Sequence, residues 1–135
     1  MKVLIDTNII LDVLLDRAPF ANEASAIWAA CDAGQISGVL AATTLTDIFY
    51  IARRATNTAT AQIAVGLCLA TFAICAIDRA ALERAASLPG ADFEDNVQLA
   101  CALNAGLDAI VTRNNRDFGA APIPVLTPAA LLAQR

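Results

Sequence analysis

The chain contains no histidine and a single lysine, Lys2, among its 135 residues. Without histidine there is no Ser-His-Asp or Cys-His nucleophile system, no H-E-x-x-H zinc site and no histidine-based ribonuclease chemistry. Aromatic residues are only 5% of a chain that is 58% hydrophobic, so its core has to be built from Ala, Leu, Ile and Val. That composition favours close helix–sheet packing over a disordered or fibrous chain. Neither G-x-x-x-x-G-K-[ST] nor G-x-G-x-x-G occurs, which removes the common glycine-rich phosphate loops. Cys31, Cys68, Cys75 and Cys101 form no C-x-x-C pair and lie in apolar stretches, where they read as reduced core residues rather than zinc ligands.

Long hydrophobic runs are missing as well. The longest, from Ile63 to Ile77, has 15 residues, and a spanning helix needs roughly 18–20. Lys2 is followed by only three apolar residues before Asp6, so no signal peptide is read and a cytoplasmic protein without a membrane segment is expected. The length fits one domain over residues 1–135. A net charge of −4 argues against a broadly basic nucleic-acid surface and leaves arginine clusters to be judged at the site.

What is present is alternation. Lys2–Ile5, Ser37–Leu40, Phe72–Ile77, Asp108–Val111 and Pro124–Leu126 read as short strands. Between them, helices are expected over 8–15, from Pro19 to about 33, from Thr43 or Thr44 to about 54, over 58–70, 79–87 and 92–104, and after Pro128. Leu45, Ile48, Phe49 and Ala52 fall at i, i+3, i+4 and i+7 on the third of these. Strands alternating with helices imply an α/β sandwich around a mainly parallel sheet.

In such sheets ligands gather at the carboxyl ends of the strands. Asp6 follows the first strand and Asn8 opens the next helix, while Thr112, Arg113 and Asn114 follow the fourth strand and can reach the same edge. Asp47 borders the apolar face of its helix, and Asp92, Glu94 and Asp95 crowd the first turn of an otherwise apolar one. Carboxylates so concentrated repel one another unless a cation binds. The plainer alternatives are that Asp6 and Asp92 are helix caps, that Glu94 and Asp95 complement a helix dipole, and that Asn114 and Asp117 form turns.

The segments Leu4-Ile5-Asp6-Thr7-Asn8, Thr44-Leu45-Thr46-Asp47-Ile48-Phe49-Tyr50, Asp92-Phe93-Glu94-Asp95-Asn96 and Val111-Thr112-Arg113-Asn114 through Asp117-Phe118 together resemble a PIN domain. Their size and spacing are similar to the VapC-type toxins of bacterial toxin–antitoxin pairs. The resemblance implies a three-layer α/β/α sandwich, a ribonuclease dependent on Mg²⁺ or Mn²⁺, a homodimer, an RNA substrate and a cognate antitoxin partner. It assigns the four catalytic positions to Asp6, Asp47, Asp95 and Asn114, with Asp6, Asp47 and Asp95 as metal ligands and Asn8 in support. Asp47 stands where the family most often has Glu, and Asn114 where it often has Asp. Thr112 and Asp117 are further supporting residues, with Asp117 a source of the charge Asn114 lacks. Arg113, Arg116 and Arg54 are candidate RNA contacts beside the site. Two other classes stay open: a catalytically inactive PIN-like module binding RNA or protein, and a phosphotransfer receiver, which would need a lysine after a late strand.

Overall fold

The computed structural model describes residues 1–119 and 121–134. The elements follow in the order β1 (Lys2–Ile5), α1 (Thr7–Leu14), α2 (Ala21–Asp32), β2 (Ser37–Ala41), α3 (Ala42–Ala55) and α4 (Thr58–Thr71). Then come β3 (Ala73–Cys75), α5 (Arg79–Ser87), α6 (Phe93–Asn104), β4 (Ala109–Val111), a 3₁₀ turn (Asn115–Phe118), β5 (Val125–Leu126) and α7 (Pro128–Ala133). The five strands form one parallel sheet in the order β3-β2-β1-β4-β5.

The strands are apolar on both sides because both faces of the sheet are covered. On one face Val3, Ile5, Leu40 and Val111 pack with Ile9 and Ile10 of α1, Ile27 of α2, Ile48 of α3, Cys68 of α4 and Leu131 of α7. On the other face Leu4, Val39 and Ile110 meet Ala85 of α5 and Val97, Ala100 and Cys101 of α6. Alternating side chains of single strands thus feed two cores, which makes the fold a three-layer α/β/α sandwich. Small residues let the layers close up. At Gly38 an added Cβ would lie 2.8 Å from both Cys31 Sγ and Phe72 Cδ1, and Phe72 in turn meets Trp28 edge-on with ring centroids 4.9 Å apart.

Two expected boundaries move. Pro19 does not open α2 but lies in a turn closed by Phe20 and Ala21 amides donating to the Arg17 carbonyl. β3 is confined to three residues at the sheet edge, with Phe72 turned into the core before it starts. Among the described residues, no helix is long and apolar enough to cross a membrane.

The strand order places the site. From β1 the chain builds outward through β2 and β3, then crosses back to lay β4 on the opposite side of β1. The carboxyl ends of β1 and β4 therefore flank a topological switch point, where connections part to opposite sides and leave a crevice.

Candidate active site

Asp6 directly follows the last residue of β1. Its amide donates to the Val111 carbonyl at 2.9 Å, so β1 and β4 stay paired up to the crevice. Although Asp6 occupies the N-cap position of α1, its side chain makes no capping hydrogen bond. Its carboxylate turns instead toward α6 and the end of β4. Gln98 Nε2 donates to Oδ1 at 3.0 Å and Thr112 Oγ1 donates to Oδ2 at 2.7 Å. Asp6 is only 6% exposed and is held there by two neutral donors, so its orientation is fixed while its charge is left unpaired by either of them.

The other carboxylates arrive on helices. Asp47 projects from α3, and a hydroxyl contact of 3.0 Å between Thr7 and Thr44 ties that helix to the start of α1. Asp92 does cap α6, its Oδ1 accepting from the Asp95 amide at 3.0 Å. α6 is buried from Asn96 through Ala102, which fixes its acidic first turn against the sheet. Asn96 steadies the preceding segment by donating to the Gly90 carbonyl at 3.0 Å. In the loop after β4, the 3₁₀ turn brings Asp117 back to the crevice.

The result is a cleft of about 480 Å³ whose walls include Asp6, Asp47, Asp92, Glu94, Asp95 and Asp117. Crowding and burial hold two of these carboxyls above their ordinary range. Glu94 is pushed up to about 7, chiefly by its hydrogen bond with Asp47, then by burial and the charges of Asp47, Asp92 and Asp95. Asp95 is also pushed up to about 7, first by burial and then by Asp92, Asp6 and Asp117. Negative charge beyond what the chain itself neutralises is the electrostatic condition for binding a cation.

The donor set suits a hard divalent ion, all of it carboxylate, amide and hydroxyl oxygen. Two buried oxygens on the cleft residues, Asn8 Oδ1 and Gln98 Oε1, have no hydrogen-bond partner. Among the described residues, no three acidic or cysteine side chains are gathered tightly enough to hold an ion outright. Mg²⁺ does not require that, since it keeps several waters and binds through one or two carboxylates plus substrate phosphate.

The residues singled out in the sequence are therefore distributed unequally. Asp6, Asn8, Asp47, Asp95 and Asp117 line the cleft, and Thr112 lies buried behind it on Asp6. Asn114 is exposed, donates its amide to Thr112 Oγ1 at 3.1 Å and is not among the lining residues. Arg113 is engaged inside the chain on Asp12, Arg116 lines an adjoining cavity of about 360 Å³, and Arg54 is exposed in the last turn of α3. The arginine that does line the cleft is Arg17. Sequence reading passed over Arg17, Gln98 and Asp12. Gln98 follows Asp95 by three residues and Asp12 follows Asn8 by four, so helical spacing placed each on the face of a residue already under consideration.

A family model described as PIN domain matches residues 2–116. Among solved structures, the chain is similar to a toxin–antitoxin complex from Klebsiella pneumoniae at 25% identity, covering 93% of this chain and 97% of that one with a TM-score of 0.69. It is similar in fold to VapC20 of Mycobacterium tuberculosis, described as a Sarcin-Ricin loop cleaving toxin, at 15% identity, 90% and 95% coverage and a TM-score of 0.72. The DNA-bound VapBC from Salmonella typhimurium gives 17% identity, 95% and 98% coverage and a TM-score of 0.72. No curated protein matches the sequence.

Proposed function

The chain belongs to the PIN domain family, and from that premise we propose that it is a metal-dependent ribonuclease that hydrolyses RNA phosphodiester bonds as the toxin of a toxin–antitoxin pair. The observation that carries the reading is the convergence of Asp6 from the β1–α1 junction, Asp47 from α3, Glu94 and Asp95 from α6 and Asp117 from the 3₁₀ turn on one cleft at the switch point of the sheet. Repulsion of that kind costs stability, and a fold that served only its own core would have no need of it. Toxin–antitoxin complexes among the similar structures support an antitoxin partner, and a homodimer is part of the same reading.

Asp6, Asp47 and Asp95 would hold Mg²⁺ or Mn²⁺. Bound there, the ion supplies Lewis-acid stabilisation of phosphoryl oxygens and an activated water. The chain's own contribution is positional. Gln98 and Thr112 hold the Asp6 carboxylate in one orientation, and the buried body of α6 holds Asp95 opposite it. With no histidine in the chain, proton transfer falls to carboxyls. Glu94, on the cleft wall beside Asp47, is placed to take a proton from water or return one to the leaving oxygen. Arg17 offers the cleft's cationic contact for a flanking phosphate.

The test is cleavage of labelled single-stranded and structured RNA with Mg²⁺, Mn²⁺ or EDTA, using wild type, Asp6→Asn and Asp95→Asn. Cleavage that requires metal and is lost in both folded variants supports the reading. The second reading is a non-catalytic PIN-like module binding RNA or protein, favoured by the neutral Asn114 and the shorter Asp47 at two of the four positions the resemblance marks for acids. It predicts no cleavage and no divalent-ion binding by wild type.

A further inference from the structure

One charged residue lies outside the cleft and deeper than any that lines it. Asp12, on α1, is fully buried within the apolar run Ile9-Ile10-Leu11-Asp12-Val13-Leu14. A carboxylate in that position is tolerated only when paired, and Asp12 is paired twice. Arg113 Nε donates to Oδ2 at 2.6 Å and Nη2 donates to Oδ1 at 3.3 Å, a two-point contact of the planar guanidinium. Arg17 Nη1 lies 3.7 Å from Oδ1. The guanidinium of Arg113 is also stacked 4.0 Å from the centre of the Phe20 ring, which packs it from the side.

What matters is which backbone these arginines carry. Arg113 directly follows Thr112, whose hydroxyl both donates to Asp6 and accepts from the Asn114 amide. The segment leaving β4 is therefore pinned by neighbouring residues in two directions, Thr112 onto the end of β1 and Arg113 onto α1. Everything that follows, through the 3₁₀ turn to Asp117, takes its starting direction from those two anchors. Arg17 meanwhile lines the cleft, so the same buried carboxylate touches both the arginine at the cleft wall and the arginine behind the loop.

We propose that Asp12 is a positioning residue for the cleft, setting the 112–118 segment through Arg113 and the cleft-wall cation through Arg17, and that Arg113 serves this inner role rather than contacting substrate. The inference rests on the nuclease reading of the cleft for its kinetic consequence, but its structural half stands on geometry alone. A pair serving stability alone would predict that its removal lowers the melting temperature and leaves the site's geometry as it was.

The experiment compares wild type, Asp12→Asn, Arg113→Lys and the apolar double variant Asp12→Leu/Arg113→Met. The double variant removes both charges together, a replacement that buried pairs often tolerate without loss of stability. It therefore keeps the test alive if Asp12→Asn fails to fold. Two readouts are taken well below each melting temperature: amide hydrogen exchange across residues 112–118, and kcat and KM on RNA. The expected result is exchange faster by about tenfold or more at the Asn114 amide and through the segment, with β1 amides unchanged, and kcat lower by about tenfold or more with KM nearly unchanged. Arg113→Lys keeps the charge but loses the two-point contact, and is expected to lie between wild type and the others. Unchanged exchange and unchanged kcat in the folded double variant overturn the proposal, whatever happens to the melting temperature. If wild type cleaves no RNA, the nuclease reading falls and the exchange data alone decide whether Asp12 sets the loop.

Discussion

Thr112 donates its hydroxyl to Oδ2 of Asp6 at 2.7 Å, joining residues 106 positions apart at the point where two neighbouring strands end. Both groups are buried, so this bond sets the aim of the carboxylate and supplies part of the solvation it loses on folding. Thr112→Val keeps the shape and removes the donor. It is expected to cost about 1.5–3 kcal/mol in denaturant unfolding, the range for a bond to a charged group. Divalent affinity or cleavage should fall by about 10–100-fold, the usual effect of removing a group that orients a metal ligand. Thr112→Ser should restore most of both, and Gln98→Leu should resemble Thr112→Val.

The acids of α6 make a prediction about pH. Asp95 and Glu94 are pushed up to about 7 from ordinary values of 3.8 and 4.5. Their folded-state values lie above the unfolded ones, so the folded protein binds more protons between those limits. The stability they contribute is complete below about pH 4 and is lost as pH rises through about 7. For metal-free protein the melting temperature should therefore fall from pH 5 to pH 8 on account of these groups, and Asp95→Asn should flatten the slope. Mg²⁺ should raise the melting temperature more at pH 8 than at pH 5, because only the charged cleft is relieved by a cation. A thermal scan series with and without EDTA reads all three effects.

Much of this was legible in the sequence. Apolar runs broken by Gly, Pro and Asp placed strands and helices because both faces of the sheet are buried, and Asp6 stood out because a carboxylate interrupts such a run. Its capping alternative is absent from the structure, where the side chain turns to Gln98 and Thr112, whereas Asp92 does act as a cap. What spacing did not show is the partner of each charge. Arg113 pairs with Asp12 because strand order sets β4 beside β1 and the helix after β1 lies within its reach. Arg17 is brought to the cleft by the turn after α1, which has no periodic signal.

The tight contact of β2 with its covering helices gives a prediction about the core. Gly38→Ala would set a methyl 2.8 Å from Cys31 Sγ and Phe72 Cδ1. Overpacking of this kind costs about 1–3 kcal/mol. Trp28, the chain's sole tryptophan, contacts Phe72 edge-on. The displacement should therefore register as a shift in native-state fluorescence as well as a lower denaturation midpoint. An unchanged spectrum and midpoint would show that the layers have slack there.

The last prediction separates Asn114 from Asp117. Asn114 occupies the position that the family resemblance marks for a fourth acid, yet it is exposed and is not among the residues lining the cleft; only its backbone N–H bonds Thr112. Asp117, three residues on, reaches the cleft because the 3₁₀ turn folds the segment back, and its charge is one of those holding Asp95 high. Asp117→Asn should therefore lower the titration midpoint of Asp95, followed through its side-chain carbon resonance in metal-free protein. It should also weaken divalent binding, since one source of negative potential is gone. Asn114→Ala should leave both nearly unchanged, because its backbone amide still bonds Thr112 and its side chain is outside the cleft. The opposite pattern, with Asn114 altering the Asp95 titration and Asp117 silent, would assign the fourth position to Asn114 after all.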